Sequence, residues 1–166
     1  MCVSSRAGIV RRVGAVWVRS TTIIDDVPDG VVAAIERVAV GRGIAWAPQM
    51  ATLVWATEST TEVGRIRTRT RTVRTVGVLA ADVLAWTVSD DGGAPAAVVV
   101  RRSRVDVADG SVALSGLSPE LRARAGPLDT DGVTVRGDLG GRDLASIFIP
   151  LGRGPAADRV RAALLA

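Results

Sequence analysis

Apolar residues follow two different periods along this chain, and the change of period marks the elements. Ala15 to Ile24 is rich in Val, Ile and Thr and predicts a first strand. Asp25 to Gly30 is a turn sequence in which Asp26 or Asp29 can cap a helix. Val31, Val32, Ile35, Val38 and Ala39 then recur at helical spacing, with Glu36 and Arg37 between them. Gly41-Arg42-Gly43 ends that helix, because glycine tolerates the left-handed conformation of a C-terminal cap. From Ile44 the period becomes two. Strands are predicted at Ile44 to Ala47 (stopped by Pro48), Thr52 to Thr57, Arg65 to Val78, Asp82 to Val88 and Ala96 to Val107. Ser89 to Gly93 carries Asp-Gly and Gly-Gly, which supply the positive φ of a tight hairpin turn. Asp109-Gly110 predicts a second tight turn, continued by Val112 to Leu114, and Ser118-Pro119-Glu120 is a possible short helix start. Val133 to Arg136 and Ser146 to Leu151 are the last strands. Pro155 opens a terminal helix whose apolar stripe is Ala157, Val160, Ala163 and Leu164.

Strands in succession, joined by turns and flanked by helices, predict one α+β domain over residues 1–166, with 1–12 a loose tail. The architecture expected is mostly antiparallel, a sheet or partly open barrel with an N-terminal helix and a C-terminal capping helix. The strand at Val18 to Ile23 and the helix after it could instead begin a ferredoxin-like unit, although the long β-rich middle argues against that as the whole fold.

Composition narrows the chemistry. All 21 basic residues are Arg, and His and Tyr are absent. With no Lys either, almost nothing titrates between the carboxylates and Arg, so a net charge of only +4 gives a pI near 11. The pI is therefore weak evidence for a polyanionic partner. The Arg-only usage fits codon bias in a GC-rich genome. Cys2 is the single cysteine, which excludes an intramolecular disulfide and, without His, a structural zinc site. No cofactor or metal is expected. The apolar run Val13 to Val18 is too short for a signal peptide core. Gly43 to Thr57, the longest uncharged stretch, is broken by Pro48 and too short to span a bilayer. A soluble, cytoplasmic protein is expected.

The most distinctive segment is Arg65-Ile66-Arg67-Thr68-Arg69-Thr70-Arg71-Thr72-Val73-Arg74. Strand alternation would align Arg65, Arg67, Arg69 and Arg71 on one face over roughly 20 Å. With Arg74 they are candidates for binding an anion, since guanidinium groups engage phosphates bidentately. Nucleic acid, an anionic headgroup or an acidic protein surface would fit. The competing expectation is a solvated strand paired with carboxylates such as Glu58 and Glu62. No aromatic residue interleaves with the stripe to stack bases.

Other motifs read as structure. Gly152-Arg153-Gly154-Pro155-Ala156-Ala157 imitates a dinucleotide fingerprint, but the chain ends nine residues after Ala157, short of the acidic residue that motif needs. Asp129-Thr130-Asp131-Gly132 starts like a calcium loop, yet Gly140 stands where the bidentate Glu belongs. Asp25/Asp26 and Asp90/Asp91 are adjacent turn residues whose side chains diverge. No His or Lys is present to activate a Ser or Thr, so catalysis is not expected, a carboxylate-dependent hydrolase being the enzymatic alternative. Trp17, Trp46, Trp55 and Trp86 are expected to fill a core built from small side chains.

Thr75-Val76-Gly77-Val78-Leu79-Ala80-Ala81-Asp82-Val83-Leu84-Ala85-Trp86 forms two apolar strands about a short turn, the second ending in Trp. Ala145 to Ala166 is a strand feeding a terminal helix. Together they resemble bacterial pleckstrin-homology-like domains over about residues 44–166, with Ala80 and Ala81 where those domains carry Thr and Asp. The resemblance implies a bent seven-stranded barrel capped by a helix, and a binding or scaffolding role with an unknown partner and oligomeric state.

Overall fold

The computed structural model describes the backbone of residues 15–23, 27–63, 69–90, 93–110, 131–140 and 144–166, and side chains from residue 27 onward except 61–70. Five strands form one meander, sheet A: β1 (Ala15–Ile23), β2 (Leu53–Val63), β3 (Arg69–Leu79), β4 (Val83–Asp90) and β5 (Ala96–Arg101), each antiparallel to the next. Three more, β6 (Val105–Asp109), β7 (Gly132–Gly137) and β8 (Ala145–Pro150), form antiparallel sheet B. Helix α1 (Asp29–Gly41) lies between β1 and β2 in the chain, and α2 (Pro155–Leu165) follows β8. The fold is α+β with open antiparallel sheets, as the pattern predicts. β1 pairs antiparallel with β2, so the strand–helix–strand start is not the parallel unit of a ferredoxin-like fold.

Alternation along the strands of sheet A divides two cores. One face carries Ala56, Val76, Val78, Val83, Ala85 and Val99, and α1 covers it with Val31, Ile35 and Ala39. The other face carries Leu53, Trp55, Leu79, Leu84, Trp86 and Val100. Sheet B closes over these with Val133, Val135 and Ile149, and α2 adds Ala157, Val160 and Leu164. Trp55 and Trp86 are fully buried there, as expected of core tryptophans, and Trp46 is partly buried against the α1 core. Trp17 sits on β1, with its side chain outside the described residues.

Four local expectations are corrected. Ile44 to Ala47 is not a strand. Ile44 instead completes the C-terminal cap of α1: its N–H donates to the Ala39 carbonyl, that of Gly43 to Val40, and Gly43 takes φ +62°. This is a Schellman motif, which sequesters Ile44 against the helix before a 3-10 turn starts at Pro48. Ala96 to Val107 is not one strand. A 3-10 turn at Arg102–Arg104 breaks it, so β5 stays in sheet A and β6 enters sheet B. Ser89 to Gly93 is not a tight hairpin. Val88 and Ala96 are the last paired residues between β4 and β5, while Asp90 still pairs with Val73 of β3. Finally, Pro28 rather than Asp29 holds the N-cap position of α1, and no side chain caps it.

The tail at 1–12, Ile24 to Asp26, Arg65 to Thr68, Asp91-Gly92 and the segment 111–130, which includes Val112 to Leu114, Ser118 to Gly126, Asp129 and Thr130, lie outside the described residues. Asp131 is described. It binds Arg153, and its carbonyl accepts the N–H groups of Leu151 and Gly152 at 2.9 and 2.8 Å, anchoring the strand-to-helix turn. Gly152 and Gly154 take φ +67° and +122° in that turn, and Pro155 opens α2 at its first residue.

Candidate functional site

The apolar stripe on the α1 side of sheet A runs out before the strands do. Val54–Val78–Ala85–Val99 is one row of directly opposed residues, and Ala56–Val76–Thr87–Ala97 is the next. The row after that is polar: Glu58–Arg74–Ser89. Thr72 lies two residues beyond Arg74 on the same face. Helix α1 covers the apolar rows, and its first turn overhangs the polar one. A cleft of about 440 Å³ is left between them, lined by Pro28, Gly30 and Val31 above, the sheet residues below, and Gly93 and Pro95 at the side.

Three kinds of group face this cleft. The first is the start of α1, where Val31 and Val32 donate their N–H groups to the Pro28 carbonyl, leaving those of Asp29 and Gly30 without a partner within the helix and without a capping side chain, with the Asp29 carboxylate in the same turn. A helix start carries roughly half a positive charge, which favours anions. The second is the pair Arg74 and Glu58, both exposed and directly opposed on adjacent strands. Neither makes an ion pair among the described residues. The third is hydroxyl groups. Ser89 Oγ donates to the Arg74 carbonyl at 3.5 Å, a long contact. Thr87 is only 2% exposed, lines the cleft, and has no hydrogen-bond partner for its side chain among the described residues.

Of the five arginines of the candidate stripe, the structure describes the side chains of Arg71 and Arg74. Arg65 and Arg67 lie outside the described residues, and Arg69 is placed only as a backbone position opposite Val63. Arg71 points to the face opposite Arg74, as strand alternation requires, and forms a two-pronged ion pair with Asp90. Its partner among the described residues is thus not Glu58, and the Glu62 side chain lies outside them. Of these two, Arg74 lines the cleft. Thr87 and the start of α1 were not among the candidates, and Glu58 was expected only as a partner for the arginine strand. No local pattern marks them, since they meet only once the helix is laid across the sheet.

Arg42, at the C-terminal end of α1, shows the opposite arrangement, a cation fully engaged. It donates to the Val99 carbonyl at 2.8 Å and pairs with Asp138 at 3.2 Å. Among the described residues no three His, Cys, Asp or Glu side chains gather as a metal site, and no helix is long and apolar enough to cross a membrane. No family model, curated protein or solved structure matches this chain.

Proposed function

We propose that this chain is a non-enzymatic interaction domain that takes a small anionic ligand in the cleft between α1 and sheet A. The observation that carries the reading is Arg74: a guanidinium without an ion-pair partner among the described residues, facing the start of a helix with no capping side chain across a cleft lined by the buried Thr87. Such groups are the usual means of holding a phosphate or carboxylate. A volume of about 440 Å³ suits a small molecule rather than a duplex or a folded partner. The engagement of Arg71 by Asp90 favours the cleft over the Arg-rich strand as the anion site.

The layout also supports the pleckstrin-homology-like reading of residues 44–166. From β2 onward there are four strands of one sheet, three of a second, and a terminal helix in the core between them. That reading favours binding over catalysis. So does the cleft itself, whose charged lining side chains among the described residues are Arg74 and Glu58. The single cysteine suits a reducing compartment, and the cytoplasm is the proposed location.

Ethyl phosphate titrated in low-salt buffer, followed by amide chemical shifts, tests the reading. Saturable shifts are expected around Gly30, Arg74 and Thr87. Arg71→Ala should bind like the wild type, whereas Arg74→Ala should lose at least about tenfold in affinity, because a charge-assisted contact is removed. Equal binding by the two variants would sink the proposal.

A further inference from the structure

We infer that the ligand of this cleft is a compact zwitterion: a phosphate or carboxylate with an ammonium group only a few bonds away. The inference rests on the cleft reading above and deepens it. Its basis is Glu58. An anion held by Arg74 and the start of α1 has the Glu58 carboxylate as an immediate neighbour, since the two residues are directly opposed on adjacent strands. Directly opposed Cα atoms lie about 4.5–5.5 Å apart. Both side chains line the same cleft, and they do not neutralise each other.

A purely anionic ligand would suffer repulsion from Glu58 at that range. A ligand with a cationic group beside its anion meets two complementary charges instead. The anion goes to Arg74 and the first turn of α1, where the Thr87 hydroxyl in the cleft lining offers a further donor. The ammonium goes to Glu58. The close spacing of the two charges excludes a long spacer between them. The source is assigned to a soluble molecule rather than a lipid headgroup. The large apolar side chains exposed among the described residues are Val40, Met50, Leu144 and Leu165, and none lines the cleft to seat it in a bilayer.

Titration calorimetry of the whole chain with two probes, O-phosphoethanolamine and ethyl phosphate, tests this. The two share the phosphate monoester and differ in the ammonium group. Wild type should prefer phosphoethanolamine by about tenfold, equivalent to ~1.4 kcal/mol. Glu58→Gln keeps the side-chain shape on an exposed strand position and should erase that preference while binding ethyl phosphate at least as well as the wild type does. A thermal melt of the variant checks that it is folded. Equal affinities for the two probes, unchanged by Glu58→Gln, would overturn the zwitterion assignment and leave the anion cleft standing. Binding of neither probe would overturn both. Preferential binding to phosphatidylethanolamine vesicles over the free compound would overturn the assignment to a soluble ligand.

Discussion

Gly77 stands directly opposite Trp55 on one neighbouring strand and Trp86 on the other. Its missing side chain is what lets the Trp55 indole lie flat across β3, because a Cβ there would overlap the ring. Gly77→Ala should therefore destabilise by overpacking, by roughly 1–3 kcal/mol. Urea denaturation would read this as a lower midpoint with an unchanged slope, and an unchanged midpoint would contradict the packing described. The burial of Trp55 and Trp86 was legible in the sequence, because large aromatics among Val and Ala on predicted strands have few other places to go. Gly77 was not legible as their complement, since that depends on the register between strands, which no local pattern sets. The same holds for the arginines. Alternation predicts that Arg71 and Arg74 face opposite sides, but not that Asp90 meets one and a cleft receives the other. Arg71 and Asp90 are both substantially exposed, so Arg71→Ala should cost no more than about 1 kcal/mol. A larger loss in the same assay would show the pair to be structurally important.

At the scale of elements, the helices are set by their ends as much as by their stripes. Gly43 at φ +62° lets Ile44 fold back on Ala39, which turns the chain from α1 toward β2 and adds Ile44 to the core beneath the helix. Gly43→Ala should cost about 1–2 kcal/mol, the penalty of a left-handed conformation for a residue with a Cβ, although a Cβ there meets no neighbour. Gly43→Asn should recover part of it; equal stability of all three proteins in thermal melts would contradict the cap. Helix α2 is tied to the corner between β5 and β6 and to the end of β6. The Leu164 carbonyl accepts from Arg102 at 3.4 Å, and Arg161 reaches Asp109 at 3.3 Å as well as Asp158. Its buried Val160 and Leu164 contribute about 1.5–3 kcal/mol each. Deleting residues 155–166 should leave a chain that unfolds or aggregates, and a truncated protein with the same melting temperature would refute that role. The stripe of α2 could be read directly from its period. The break between β5 and β6 could not, because Arg102-Ser103-Arg104 has no Gly or Pro to announce a corner between uninterrupted Val-rich runs.

On the scale of the molecule, sheet A belongs to two cores at once. Neighbouring residues on a strand alternate between them: Trp55 and Leu79 face sheet B, while Ala56 and Val78 face α1. Neither core can lose its wall without exposing the other, so the two should not melt independently. The cleft follows from the same geometry, because α1 covers only the apolar rows of a sheet whose strands continue past them. The sequence announces the apolar rows and the helix but not the angle at which one crosses the other, and for this reason the meeting of Glu58 and Thr87 at one cleft emerged only from the fold. The coupling can be tested by weakening each core separately. Ile35→Ala empties a fully buried position under α1, and Ile149→Ala one between the sheets. Each should cost about 2–5 kcal/mol. If sheet A transmits the loss, each variant shows a single transition at a lower temperature, with far-ultraviolet circular dichroism and tryptophan fluorescence superimposing. Trp55 and Trp86 lie on the side away from α1 and Trp46 packs against the α1 core, so the tryptophan signal samples both cores. If that variant instead lost helical signal first and kept its tryptophan signal to a higher temperature, α1 and its core would be an independent unit. The cleft at its first turn could then open without disturbing the rest of the protein.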